Sequence, residues 1–443
     1  MSSISHTSAP GNTFDRPGGA APESEHHVDP GDIAVGVVIG RTSEYFDFFV
    51  YGIASVLVFP SVFFPHMDKL DGTLWAFALF ALAFVARPFG TVLSMAVQRR
   101  WGRATKLTVA LFLMGCSTAG IAFLPSTATL GVTAVWLLAA LRIGQGLALG
   151  GSWDGLPSLL ALNAPKHRRG WYSMLGQLGA PVGFIIASAL FAYLYSSLTH
   201  ADFLTWGWRY PFFVAFAINV VALFARLRLV AAQEYTELLD KQELQPVSAT
   251  ELMGQQGTNV IIGAFAALAS YALFHLITVF PLSWINLYTE QSIPGFLVVQ
   301  MVGGVLCAGG IVASGWIADR HGRRRTLGSL AALIAVFSGF APTLLDGGTL
   351  GQDVFILLGS VLLGLSYGQA AGAVTANFAP RYRYTGAALT SDIAWLIGAA
   401  FAPLVALGLS ANFGLGYVSV YLLSGAACTL GALSLNRKLE SRD

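Results

Sequence analysis

The residues of this chain that are best suited to chemistry are a few charged side chains within long apolar runs. The first run holds Arg41, Glu44, Asp47 and Tyr51. In a helix of ~100° per residue, Glu44, Asp47 and Tyr51 fall within an arc of ~60°. Such a polar stripe can bind a charged solute or carry a proton, because a carboxyl kept from water can hold a proton at neutral pH.

Within this stripe two interpretations stay open. Arg41 and Glu44 could be a pair that neutralises itself for structural reasons, or they could take part in the chemistry. Asp47 has no such neighbour along the helix. We therefore expect Asp47 to act on the substrate or on protons.

Other apolar runs carry further polar residues. A glycine-rich run holds Arg142 and Gln145, where Arg142 is suited either to pair with an acid of the first run or to bind an anion. His275 and Asp392 lie in two later runs, and His275 could instead be only a helix-contact residue. Asp47, Glu44 and Asp392 are the candidates for proton coupling. The candidates for substrate binding are Arg41, Tyr51, Arg142, Gln145, Gln177, His275 and Trp395.

The elements that position these residues are segments long enough to cross a membrane. The 443-residue chain is 55% hydrophobic and 11% charged, against roughly 25% charged in an average soluble domain. Most of its apolar runs exceed the ~20 residues that a membrane helix needs. We predict an all-α membrane protein with twelve spans, at 33–63, 73–97, 105–124, 128–161, 169–198, 207–227, 258–288, 294–317, 326–345, 353–377, 384–411 and 415–435.

The loops between these spans differ in charge. One set of alternate loops and the C-terminus hold nineteen basic residues, whereas the opposite loops hold only Lys69 and Arg209. Basic loops stay in the cytoplasm. We therefore expect a multi-pass protein of the bacterial inner membrane with both termini in the cytoplasm.

The distribution of polar segments predicts the domain organisation. Residues 1–32, rich in Ser, Pro, Gly, His and acids, are expected to form a disordered cytoplasmic tail. The range 228–257 is expected to be a cytoplasmic linker between six-helix bundles at 33–227 and 258–435. Residues 436–443 would form a second cytoplasmic tail.

A basic motif with glycines occurs once in each half. The second copy runs from Gly315 to Arg325 with the sequence GWIADRHGRRR, and a degraded first copy follows Arg87-Pro88-Phe89-Gly90. A charged turn repeated in two apolar halves indicates that the protein arose by doubling a membrane bundle. The residues expected to gate its cytoplasmic end are Gly90, Arg99, Arg100, Gly102, Arg103, Gly315, Asp319, Arg320, Gly322 and Arg323.

Several motifs resemble those of the metabolite:proton symporters of the major facilitator superfamily, whose members carry proline and betaine, 2-oxoglutarate, shikimate and citrate. The matching segments are Gly40 to Gly52, Arg87 to Gly90, Arg142 to Gly151, Arg169 to Gly183, Trp206 to Phe212 and Arg383 to Gly386. The resemblance implies the twelve-helix fold, alternating access and a monomer. Three departures stand out: Arg99 replaces the aspartate of the first-half motif, Arg41 an asparagine of span 1, and Asp392 an asparagine of span 11.

Together these features predict a proton-coupled importer of a small polar, anionic metabolite. Its expected partners are this substrate, protons and the lipid bilayer. A drug:proton antiporter that exports its substrate is an alternative, because Gly179-Ala180-Pro181-x-Gly183 superficially resembles an antiporter signature. A transporter-like sensor is a third possibility. We expect no enzyme activity, metal, cofactor or nucleic acid, because the sequence offers no nucleophile–base pair, metal-ligand spacing or basic tail.

Overall fold

The computed structural model describes residues 30–153, 155, 160, 164–230, 245–376 and 378–435, and this part of the chain is almost entirely helical. Ten of its helical segments are long and apolar enough to cross a membrane. One of them, Lys69–Phe123, contains two spans, and the more polar first helix adds another. Helices are expected here because lipid offers no partner for backbone N–H and C=O groups. The prediction of twelve spans in an all-α fold is confirmed.

The spans are numbered in chain order, with the first six forming the first half and the rest the second half. Spans 1 to 6 are Pro30–Leu57 with Phe59–Phe63, 69–101, 103–123, Thr133–Gly151, Arg169–Ser197 and Tyr210–Val230. Spans 7 to 12 are 249–288, Ile293–His321, Arg323–Asp346, Gly348–Ala376, Pro380–Phe413 and Gly416–Leu435.

Several boundaries differ from the predicted ones. Span 1 begins at Pro30, inside the range predicted as a tail, and residues 1–29 and 436–443 lie outside the described part. Span 4 ends at Gly151, short of the predicted residue 161. Helices also enter both ends of the predicted linker: span 6 runs to Val230, and span 7 starts at Ala249. Here the Ser248 hydroxyl accepts a hydrogen bond from the Glu251 N–H at 3.2 Å and caps the helix.

Two glycines make the equivalent turns of the two halves. Gly102, between spans 2 and 3, has φ of 86°, and Gly322, between spans 8 and 9, has φ of 84°. A Cβ added at either position would meet nothing within 4 Å. Glycine is therefore required by the backbone conformation rather than by crowding, because this region of φ is costly for other residues.

Spans 7 and 11 are interrupted near their middle. Span 7 consists of Ala249–Ala266, Leu268–Thr278 and Phe280–Tyr288, and span 11 contains a π-helical turn at Leu396–Ala400. Pro281 and Pro403 follow these breaks, and each removes the N–H that would bond one turn back. Such breaks are typical of functional sites in membrane helices.

The outer and inner faces of the helices differ as expected for a protein in lipid. Large apolar side chains such as Trp136, Phe112 and Val221 are exposed on the outside. One continuous core cluster runs inside from span 1 to span 12 and is rich in phenylalanine. The middle of span 7 is the most enclosed segment, and every residue from Leu268 to Thr278 is buried.

We expect the Gly322→Ala variant to be less stable than the natural protein by about 1–2 kcal/mol, since alanine must adopt a left-handed backbone there. The measurement is the thermal unfolding of the purified protein in detergent. Gly309→Ala is the matched control, because Gly309 lies within the span 8 helix and its added Cβ also meets nothing within 4 Å. Equal losses in both variants would contradict the assigned role of the turn.

Candidate functional site

Asp47 is the centre of a polar cluster inside the first half. Its carboxylate accepts hydrogen bonds from the Thr118 hydroxyl at 2.5 Å, the Asn219 amide at 2.7 Å and the Gln145 amide at 2.9 Å. These donors belong to spans 3, 6 and 4. Asp47 is only 2% exposed. Since no water replaces such donors in a membrane, a buried carboxylate must find them in the protein. One side chain of span 1 thus joins four helices.

Gln145 connects this cluster to Arg142. Its amide NH2 donates to Asp47, and its carbonyl oxygen accepts a hydrogen bond from Arg142 Nη1 at 3.0 Å. Arg142 Nε donates to the backbone carbonyl of Phe80 at 3.3 Å, and its guanidinium carbon lies 3.9 Å from the Tyr51 ring centroid. The expected contact between Arg142 and an acid of span 1 is therefore indirect, with Gln145 in between.

Three buried polar atoms around Arg142 have no hydrogen-bond partner among the described residues. They are Nη2 of Arg142, the hydroxyl oxygen of Tyr51 and Nε2 of His275. The three residues are linked by the rings of Phe48 and Phe80: the Arg142 guanidinium lies over both, and His275 is 5.2 Å from the first and 5.3 Å from the second. Buried donors without acceptors are costly, so this site is suited to an acceptor-bearing ligand.

Arg41 and Glu44 form the expected ion pair, at 2.9 Å between Nη1 and Oε2. Glu44 also binds Arg226 of span 6, at 2.8 Å between Oε1 and Nη2. Arg41 additionally lies over the ring of Trp153, 5.8 Å from its centroid. This network lies within the first half, nearer to the end where the basic loops are; we call this end the basic end.

His275 and Trp395 belong to an aromatic cluster between the halves, which we define by nine residues. All are buried. The first half contributes Tyr45, Phe48, Phe49 and Phe84, and the second half contributes Tyr271, Phe274, His275, Tyr367 and Trp395. The Tyr45 and Tyr367 hydroxyls are hydrogen-bonded to each other. The cluster closes the middle of the molecule, and His275 and Trp395 are its members predicted from the sequence to bind substrate.

Asp392 joins the two halves. Its carboxylate pairs with Arg87 of span 2 at 2.6 Å and accepts a hydrogen bond from the Thr91 hydroxyl. Asp392 is 2% exposed. Of the two isolated aspartates singled out from the sequence, Asp392 therefore contacts the opposite half, whereas Asp47 is enclosed within its own.

The second-half copy of the basic motif connects spans 8 and 5. The Asp319 carboxylate accepts hydrogen bonds from the backbone N–H groups of Gly170 at 2.6 Å and Trp171 at 3.1 Å. These groups lie at the start of the span 5 helix, where free N–H groups favour an anion. Gly315 allows the close approach, because an added Cβ would lie 2.9 Å from the Met174 side chain. Arg323 donates to the Ser173 hydroxyl at 3.3 Å.

The first-half copy makes a different contact, between spans 2 and 11. Arg99, at the position equivalent to Asp319, donates to the backbone carbonyl of Val247 at 3.2 Å. The Tyr384 hydroxyl bonds to Gln98 at 2.9 Å and accepts from Lys106 at 2.9 Å. No side chain described at this contact repeats the carboxylate of Asp319. The two copies of the motif thus make chemically different contacts.

The other predicted residues have more peripheral positions. Arg103 lies over the Tyr384 ring at 5.9 Å, and Arg100 lies over Trp101 at 5.2 Å. Arg320 is exposed, and Gln177 is buried in the short helix Gly176–Leu178, which packs against span 1. Spans 2 and 4 are so close at Gly90 that an added Cβ would collide with the Leu147 backbone. Asp154, an acidic residue in the predicted fourth span at 128–161, lies outside the described residues.

Several residues of the site were missed from the sequence. Arg87 was noted only as part of a motif, although a charge in the middle of span 2 is itself a signal. Asn219 is the lone amide of span 6 and could have been found in the same way. Tyr367 and Thr118 gave no signal, because hydroxyl residues are common in membrane helices.

Comparisons with known proteins agree with this architecture. The family model of the Major Facilitator Superfamily matches residues 127–403. The inner membrane metabolite transport protein YhjE of Escherichia coli (strain K12) is 36% identical over 92% of this chain and 94% of its own length. The shikimate transporter of the same strain is 32% identical over 90% of this chain and 92% of its own.

Solved structures of similar fold include the xylose transporter XylE from E. coli in a partially occluded inward-open conformation, with a TM-score of 0.69 and 15% identity over 92% of this chain and 99% of its own. A D-xylose-proton symporter gives a TM-score of 0.68 at 19% identity, over 91% of this chain and 97% of its own. At these identities the likeness concerns the fold alone.

This chain belongs to the Major Facilitator Superfamily and is similar to its metabolite transporters along nearly the whole length. It is an integral, multi-pass membrane protein and a secondary transporter rather than an enzyme. The predicted family and the predicted fold of twelve helices in two six-helix bundles are confirmed.

We expect Asp319→Asn to weaken the closure of the basic end, because an amide is a weaker acceptor for the span 5 N–H groups than a carboxylate. The reporter is a cysteine at Met174, which is buried beside Gly315, in a background without Cys116, Cys307 and Cys428. Its labelling by a small maleimide should become about tenfold faster.

The control for this experiment is Asp346→Asn, which removes the same charge from an exposed position at the other end of span 9. Labelling there should stay at the rate of the parent. An unchanged rate in the Asp319 variant would show that this contact does not hold the two halves together.

Proposed function

We propose that this transporter imports a small carboxylate together with protons, by exposing a site between its halves alternately to the two sides of the membrane. The observation that carries the proposal is the guanidinium of Arg142. It is 1% exposed, and its Nη2 has no hydrogen-bond partner among the described residues. The free Tyr51 hydroxyl and His275 Nε2 lie around the same rings.

A carboxylate suits this site for two reasons. Its oxygens would accept hydrogen bonds from Nη2 of Arg142 and from the Tyr51 hydroxyl, two buried groups that have no partner among the described residues. Its charge would also balance the buried guanidinium, whose planar donors fit a carboxylate better than an ammonium group would. Gln145 links Arg142 to Asp47, whose negative charge partly balances the guanidinium. This charge would keep the site stable when no substrate is bound.

Asp392 is the residue we propose to couple transport to protons. Its charge holds Arg87 across the two halves, so a proton on Asp392 would weaken the ion pair and favour separation of spans 2 and 11. Asp47 also remains a candidate, but its three donors all lie in its own half, and its protonation would break no contact between the halves. The geometry therefore favours Asp392.

We infer that the basic end faces the cytoplasm, with both termini on that side of the inner membrane, and that the protein works as a monomer. The basic loops support this orientation. At the basic end, Asp319 with the start of span 5 and Tyr384 with Gln98 would close the path while the opposite end opens. We assign Gly90, Gly315 and Gly322 to the close approaches and turns that these gates need.

We expect Arg142→Gln to lose carboxylate binding by about 30-fold or more, because it removes the charge while retaining a polar side chain. The measurement is thermal stabilisation of the purified protein by a panel of mono- and dicarboxylates at pH 5.5 and 7.5. Lys69→Gln is the control. It removes an exposed positive charge at the start of span 2, away from Arg142, and should leave binding unchanged. Binding that persists in the Arg142 variant would refute the anion site.

We expect Asp392→Asn to abolish accumulation driven by an inward proton gradient while preserving exchange of labelled for unlabelled carboxylate. The asparagine keeps a neutral bond to Arg87 but cannot take up a proton. The assay is uptake into right-side-out vesicles of the carboxylate that the panel identifies. Asp353→Asn is the control, because the Asp353 carboxylate accepts a hydrogen bond from the Gln291 amide, at 3.2 Å, within the second half.

The same vesicles distinguish import from the export alternative. An inward proton gradient should concentrate the substrate inside the vesicles if the protein is a symporter and should exclude it if the protein is an antiporter. Normal gradient-driven uptake by the Asp392 variant would contradict the coupling role of Asp392 and would favour Asp47 as the proton-coupling residue.

A further inference from the structure

We propose that the transported carboxylate carries a planar aromatic ring, which is bound between rings of the aromatic cluster. This inference rests on the proposed function, since Arg142 is assumed to hold the carboxylate. It adds the chemical class of the remainder of the substrate, which is decided by a different set of residues.

Three pairs of nearly parallel rings carry the inference. Phe49 faces Phe274 at 5.8 Å between centroids and 14° between planes, and Phe84 faces Trp395 at 5.8 Å and 18°. Phe48 faces His275 at 5.2 Å and 27°. In every pair one ring belongs to the first half and the other to the second half. Parallel offset rings are a favoured arrangement of aromatic groups.

This arrangement has a consequence for alternating access. When the halves move apart, each pair separates into two ring faces that still lie roughly parallel. A flat ring can enter such a gap and replace one ring contact with two, whereas a puckered or branched group makes poorer contact with the two faces. The free-energy cost of separating the ring pairs would thus be offset by the binding of a substrate that fits between them.

The cluster also lies at the right place relative to Arg142. The Arg142 guanidinium carbon is 5.9 Å from the Phe48 ring centroid, and the Phe48 ring forms one of the three pairs. A ring held between Phe48 and His275 would therefore lie close to Arg142. A carboxylate attached directly to that ring would bring its oxygens towards Nη2 of Arg142, which has no partner among the described residues.

Other ligand classes fit the cluster less well. A quaternary ammonium group would lie beside the Arg142 charge, while Asp47 is occupied by its three donors and Asp392 by Arg87 and Thr91. A sugar would need many hydrogen-bond partners, yet the Tyr45 and Tyr367 hydroxyls are bonded to each other and most of the remaining surface is carbon.

The test compares two acids with the same carboxylate and the same number of ring carbons. Benzoate is planar, and cyclohexanecarboxylate is puckered. We expect the full-length natural protein to bind benzoate about tenfold more tightly than cyclohexanecarboxylate, as measured by calorimetry or thermal shift in detergent. Acetate, which lacks any ring, should bind more weakly than both.

A ring variant provides the second measurement. Trp395→Leu should reduce the preference for benzoate over cyclohexanecarboxylate to about threefold or less, because the Trp395 ring lies 6.2 Å from Phe48 and 6.0 Å from His275. Trp136→Leu is the matched control, because Trp136 is 72% exposed on the outer face of span 4. It should keep the full preference.

The outcomes separate this inference from the function on which it rests. Equal binding of the two ring acids, or tighter binding of cyclohexanecarboxylate, would overturn the aromatic inference while leaving the Arg142 site intact. If neither ring acid nor acetate binds, and the broader carboxylate panel is also silent, the carboxylate site itself is wrong. A preference for benzoate that survives unchanged in the Trp395 variant would overturn the assignment of the ring to this cluster.

Discussion

The need to satisfy a buried carboxylate without water organises the first half of this protein. Asp47 takes its donors from three other helices, so the position of span 1 is fixed relative to spans 3, 4 and 6. One of those donors, Gln145, uses its other end to hold Arg142. Because Gln145 lies between acid and base and bonds to Nη1 of Arg142, Nη2 of Arg142 is left without a partner among the described residues. The proposed ligand site is therefore a consequence of how the acid is satisfied.

The two halves share a plan but differ in their chemistry. Both contain a glycine turn of positive φ after the charged motif, at Gly102 and Gly322. In the second half, the motif offers a carboxylate to the start of span 5, whereas the first half has Arg99 at that position. Spans 2 and 11, where no such carboxylate is described, are joined instead by Arg87 and Asp392 deeper in the membrane. On this side of the molecule, the acid that joins the two halves thus lies inside the membrane rather than at the basic end.

The sequence predicted what depends on one helix or one turn. Hydrophobic runs predicted twelve spans, and spacing predicted the pair of Arg41 and Glu44, because such features are set within a few residues. Most contacts between helices could not be predicted from the sequence. Asp392 meets Arg87 across some three hundred residues, and periodicity tells which side chains share a face but not which helix that face meets. The breaks in spans 7 and 11 were missed because single prolines are often tolerated in membrane helices.

The spacing along spans 2 and 11 would let one movement of these helices couple the proposed proton site to the proposed substrate site. Phe84 and Arg87 are three residues apart on span 2, and Asp392 and Trp395 are three apart on span 11, so each pair shares a helix face. The structure matches them in register: Arg87 pairs with Asp392, and Phe84 stacks on Trp395 one turn away. Two rigid helices cannot separate at one of these contacts without loosening the other. A proton on Asp392 would therefore lower the cost of opening the ring pair, and a ring inserted there would favour release of Arg87. Coupling of this kind requires no path between distant sites, because both ligands act on the same pair of helices.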